Sequence, residues 1–115
     1  GVPGDGNILI YVNGGDSNQS KVYELDIPDN FGLIANNDNE PSIVWSFTHP
    51  DLYFARISGA DRLPNGNTLI CEGYYGFWEV TNTGAIAWKY SNLGGNFFWR
   101  GYGYSYDDEA IINLN

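Results

Sequence analysis

Basic residues are scarce in this chain. Five Lys and Arg stand against fourteen Asp and Glu across 115 residues, a formal charge of −9. With no basic patch to release counterions, this balance argues against nucleic acid and anionic membrane surfaces as partners. Cysteine occurs once, at Cys71, which rules out an intrachain disulfide and leaves the redox compartment open. Histidine also occurs once, at His49. No apolar run approaches the roughly 18–20 residues of a membrane-spanning helix, and no segment combines an amphipathic helical period with end caps. The length suits one small domain with no room for a second core. The chain opens at Gly1 with neither an initiator Met nor a signal-peptide pattern. That leaves a mature form, an expressed piece and a segment of something longer all open.

What the chain has in quantity is aromatics and glycine. Nine Tyr, six Phe and four Trp with fifteen Gly point to short strands joined by tight turns. The stretch Leu63-Pro64-Asn65-Gly66-Asn67-Thr68-Leu69-Ile70 combines a polar turn with the start of an alternating strand. A weaker copy, Pro3-Gly4-Asp5-Gly6-Asn7-Ile8-Leu9-Ile10, lies near the start. Two copies of one turn-plus-strand imply a repeat architecture.

Read in order, the chain is all-β. Strands are expected over residues 7–12, 21–27 and 42–48, then over 53–63, 67–72, 77–81 and 85–90, with a last one over 97–107. Polar loops at 13–20 and 28–41 account for most of the extra length of the first cycle. The two cycles align: Tyr23-Glu24-Leu25 matches Trp78-Glu79-Val80, and Ser42 to Phe47 matches Ala85 to Tyr90. A third fragment begins at Phe97, where Phe98-Trp99-Arg100 repeats Phe54-Ala55-Arg56 after about 44 residues, the period of a four-stranded propeller blade.

The string Arg62-Leu63-Pro64-Asn65-Gly66-Asn67-Thr68-Leu69-Ile70, followed by Glu79-Val80-Thr81-Asn82-Thr83-Gly84-Ala85-Ile86-Ala87-Trp88, resembles the blades of arylsulfotransferase-like β-propellers. Similar blades occur in quinoprotein-like propellers, so the resemblance implies fold more than activity. It implies four-stranded antiparallel meanders whose innermost strand lines a central channel, and an extracellular or periplasmic setting. The arylsulfotransferases carry channel histidines shortly before such a turn. Here those positions are Ser58-Gly59-Ala60-Asp61. His49 instead follows the outermost strand of a blade, where a strand-end or interface role is expected. No catalytic residue is carried over.

Labelling blade strands A to D outwards from the axis, the chain reads B-C-D-A-B-C-D-A: two blades in permuted order, one unit over 1–115. The first blade lacks its inner strand A, and 97–107 is a spare A. An open edge on 7–12 is a liability in a monomer. A head-to-tail oligomer removes it, because the spare strand of one copy pairs with the first strand of the next. Three copies would give six blades, so a cyclic homotrimer is expected; the alternative is that the residues belong to a longer single-chain propeller.

Several side chains are candidates for binding, each with a packing alternative. Tyr102, Tyr104 and Tyr106 alternate with Gly101, Gly103 and Ser105, giving a tyrosine wall for a saccharide or aromatic ligand, or an inter-blade contact with small residues at a crowded axis. Arg56 and Arg100 occupy equivalent inner-strand positions, forming a ring for a small anion or pairing with Asp61 or Asp107 between blades. Glu24 and Glu79 recur at matched positions, which reads as a repeated structural contact. No cofactor is expected; Asp5, Asp16, Asp29 and Asp38 with their Asn neighbours are the alternative, as Ca²⁺ ligands. Cys71 reads as a small buried hydrophobe. The functional expectation is a non-catalytic ring-forming module that binds a small anion, a saccharide or a protein, with an altered sulfotransferase-like enzyme or a purely structural ring component as alternatives.

Overall fold

A computed structural model describes residues 6–14, 17–28, 32–53, 58–73, 76–91, 101–104, 106, 107 and 109. Among the described residues, alternation and turn chemistry produce seven strands: β1 (Ile8–Val12), β2 (Lys21–Asp26), β3 (Ser42–Phe47), β4 (Ser58–Arg62), β5 (Thr68–Glu72), β6 (Gly76–Val80) and β7 (Ile86–Ser91). They form two antiparallel sheets in simple meander order, β1-β2-β3 and β4-β5-β6-β7. The all-β expectation holds, and the strands begin and end close to where alternation placed them. The start of the expected strand 53–63 falls partly on residues outside the described set. Of the expected strand 97–107, residues 101–104 belong to no strand in the single chain, and 97–100 and 105 lie outside the described residues.

The turn before β5 follows from its residues. Leu63 N–H donates to the Asn67 carbonyl at 2.8 Å, and Gly66 N–H to the Leu63 carbonyl at 2.9 Å. Gly66 sits at φ 88°, a left-handed conformation that disfavours a side chain. The first cycle makes the same bend at Gly6, φ 86°. A second signature also repeats: the β2–β3 register shifts between Glu24 and Leu25, and the β6–β7 register between Glu79 and Val80. The two sheets are therefore built on one plan, down to the position of a bulge.

The sheets stack face to face. Val22, Phe47, Leu52, Ile70, Trp78 and Val80 are buried between them, with Leu9, Tyr11, Trp45 and Ala60 packed alongside. Trp78 is the largest fully buried side chain. Phe47 and His49 meet it edge-on at 6.2 and 5.1 Å between centroids, and the Lys89 ammonium lies 4.1 Å from its ring centre. His49 thus packs at the end of β3, and its Nδ1 accepts a hydrogen bond from the Asp51 backbone at 3.1 Å. Cys71 is buried, and desolvation pushes its thiol up, as a small core residue rather than a reactive one.

Because Trp78 touches both sheets, its truncation removes contacts from each. Trp78→Ala is expected to cost about 3–5 kcal/mol, seen as a lower urea midpoint with little change in slope.

Candidate functional site

Two of the open spaces beside β4–β7 hold residues expected from sequence to bind a ligand. The first, about 530 Å³, lies on the face of that sheet turned away from β1–β3 and is built around Glu79. Glu79 stands on β6, directly opposite Leu69 on β5 and Trp88 on β7. The Leu63–Asn67 turn delivers two amides to one carboxylate oxygen: Asn67 Nδ2 donates to Oε1 at 2.7 Å and Asn65 Nδ2 at 3.3 Å. The Trp88 indole N–H donates to Oε2 at 2.6 Å. The Asn67 bond leads in holding this carboxyl below the usual carboxylate range, with Asn65 and Trp88 assisting against desolvation. Glu79 is ionised at neutral pH, and all three groups that fix it are neutral. It is a hydrogen-bond and charge acceptor, unsuited to general-acid chemistry.

The far wall of this cleft is the segment 101–104. A Cβ on Gly101 would collide with the Phe77 ring, and one on Gly103 with Leu63, so both glycines are needed for the chain to lie this close over β5 and β6. With the glycine face pressed down, Tyr102 and Tyr104 turn to the exposed side and form the rim.

The second space, about 460 Å³, separates β1 from β4 and is lined by Leu9 to Tyr11, Ser58 to Asp61 and the Gly101-Tyr102 pair. Of the residues expected from sequence to bind a ligand, Asp61 and Tyr102 meet here, while Tyr102 and Tyr104 meet in the first cleft. Tyr106 is 94% exposed and lines neither. Arg56 and Arg100 lie outside the described residues. So do Asp5, Asp16 and Asp29; Asp38 accepts the Glu40 backbone N–H at 3.0 Å in a local turn. Among the described residues no group of three or more potential metal ligands assembles.

Glu24 shows the same frame in the other sheet. Asn7 Nδ2 donates to its Oε1 at 2.8 Å, as Asn67 does to Glu79. Its Oε2 is held by the Arg62 guanidinium, which also donates to Thr68 Oγ1 at 2.7 Å and lies 5.0 Å from the Trp45 ring centre. The repeated contact expected of Glu24 and Glu79 is therefore an Asn–Glu bond from the turn, to β2 in the first sheet and to β6 in the second. Arg62 was not singled out by sequence; its position directly before the Leu-Pro-Asn-Gly turn was the available signal. Trp88 was legible only as the counterpart of Trp45.

Comparison with family models, with curated proteins and with solved structures returns no match.

A depressed carboxylate stabilises the folded state above its unfolded pKa, about 4.3, and that stability is lost as pH falls through the lower folded value. Acid unfolding of the wild type is therefore expected to include a component below about pH 4.3 that Glu79→Gln lacks, measured as denaturant midpoints across a pH series.

Proposed function

We propose that this chain is a non-catalytic β-propeller module, similar to the arylsulfotransferase-like and quinoprotein-like propellers, that assembles head to tail into a closed ring of three copies and six blades. The observation that carries this reading is a mismatch between equivalent positions. Ile8, Ile10 and Val12 on β1 are 49, 38 and 38% exposed, whereas Thr68, Ile70 and Glu72, their counterparts on β5, are 0, 0 and 1% exposed. The β5 residues are covered by the first sheet. The β1 residues, joined by the exposed Ile43 on β3, form a sheet face of the same design with nothing on it among the described residues. A β-sheet face this apolar calls for a cover.

Two further features fit a second copy as that cover. Among the described strands β1 stands at a sheet edge, with a strand partner on one side only. Residues 101–104 lie over β5 and β6 of their own chain, much as β4 lies against β1, which is where the inner strand of a following blade belongs. Heterologous contacts of this kind close when the rotation per copy divides the circle. On this reading the space between β1 and β4 borders the central channel.

Light scattering on the purified chain is expected to give three times the 12.8 kDa subunit mass; a mass near one subunit would overturn the ring. Ile10→Glu places a charge in the middle of the exposed face without touching the core. It should leave circular dichroism unchanged and shift the mass to that of the monomer.

A further inference from the structure

We propose that the Glu79–Trp88 cleft binds a guanidinium group, the side chain of an arginine presented by a peptide partner. The basis is a comparison of two sites within one molecule. Glu24 and Glu79 occupy the same repeat position, face the tryptophan of the next strand in the same register, precede the same bulge and accept the same Asn amide on Oε1. At Glu24 the remaining oxygen is taken by Arg62, stacked over Trp45. Trp45 directs its indole N–H away, to the Asn82 carbonyl at 2.9 Å. At Glu79 the tryptophan turns its N–H onto Oε2, and among the described residues no cation pairs with the carboxylate.

The frame that holds a guanidinium in one unit is thus present in the other with its charge met only by neutral donors. Each carboxylate oxygen accepts two hydrogen bonds, so the Trp88 bond leaves Oε2 able to take another. Trp88 is 46% exposed and offers its ring as a stacking surface. Arginine fits better than lysine, because a planar, weakly hydrated guanidinium can stack on the indole while its N–H groups meet the carboxylate.

At the position that repeats Arg62 the chain carries no cation. Arg62 lies six residues after Arg56, and the same step after Arg100 is Tyr106, which is 94% exposed. In the proposed ring the next copy would lie over this face as β4–β7 lies over Glu24, where a pocket of about 340 Å³ lined by Asn7, Leu9, Glu24 and Arg62 stays open beside the carboxylate. An overall charge of −9 favours the approach of a basic segment.

The probe is N-acetyl-arginine amide, with N-acetyl-citrulline amide as its neutral near-isostere, titrated into the wild-type protein in whatever assembly it adopts. The indole N–H resonance of Trp88 is followed by NMR, and in the Trp88→Ala variant the Asn67 side-chain amide, which touches the same carboxylate, is followed instead. The arginine derivative is expected to shift that resonance saturably, and citrulline to bind at least about tenfold more weakly. Glu79→Gln should weaken arginine binding by a similar factor, and Trp88→Ala should weaken it while leaving the carboxylate in place. Glu40→Gln, which removes an exposed carboxylate in the loop before β3, should change nothing. Equal binding of arginine and citrulline, or full binding by both site variants, overturns the proposal. If Glu79→Gln does not fold, Trp88→Ala and the citrulline comparison decide. Light scattering on the same samples reports the ring separately, so loss of arginine binding and loss of assembly are distinguishable.

Discussion

The ion pair between Arg62 and Glu24 is where the two halves of this molecule meet. Arg62 ends β4 and Glu24 lies in β2, so the pair ties the first strand of one sheet to the middle of the other. Its guanidinium is also fixed within its own sheet by Thr68 and by the Gly66 carbonyl of the turn. Both side chains are largely withdrawn from water. A pair in that setting adds little net stability over well-packed apolar groups, yet losing one partner strands the other as a buried charge. Its contribution is better understood as register. Arg62 reaches Glu24 in the same arrangement that packs Trp78 with Val22, Phe47 and Leu52.

With that register fixed, a difference between the two outer faces follows. One side of the pair is shielded by residues 101–104, whose glycines permit a close approach to Phe77 and Leu63. The other side presents Ile8, Ile10, Val12 and Ile43. A repeat unit of this kind cannot bury both of its apolar faces alone. Among the described residues one face receives a segment and the other has nothing over it, the asymmetry that the proposed stacking of copies requires.

Much of this was legible in the sequence because it is local. The turn at Leu63–Asn67, the alternation of β2 and the match between Tyr23-Glu24-Leu25 and Trp78-Glu79-Val80 are properties of neighbouring residues, and the strands formed where those signals lay. The recurrence of Glu24 and Glu79 pointed correctly to a shared contact, though not to its partner, Asn7 or Asn67, supplied from the turn. Features that depend on a distant strand were not legible. Arg62 and Glu24 are 38 residues apart, and nothing in either segment names the other. The period-two pattern of 101–106 separated glycine from tyrosine faces, and the glycines indeed pack inwards. Strand formation needs a free edge to pair with, which a pattern in one segment cannot supply. Residues 101–104 lie over a sheet face, in no strand.

The comparison of Glu24 with Glu79 also bears on how a ring of such units would hold together. Within the chain, the contact between units joins an apolar core to a clamped ion pair. Between chains, the equivalent position of Arg62 falls to Tyr106, so that contact would have no such clamp and would rest on the edge of β1 and the apolar face of β1–β3. Apolar burial is not weakened by salt, whereas repulsion between copies that each carry −9 is screened by it. The two effects act in the same direction. Assembly of this acidic chain should therefore strengthen with ionic strength, the reverse of what a ring joined by ion pairs would do, while the fold within each copy keeps its own register through Arg62.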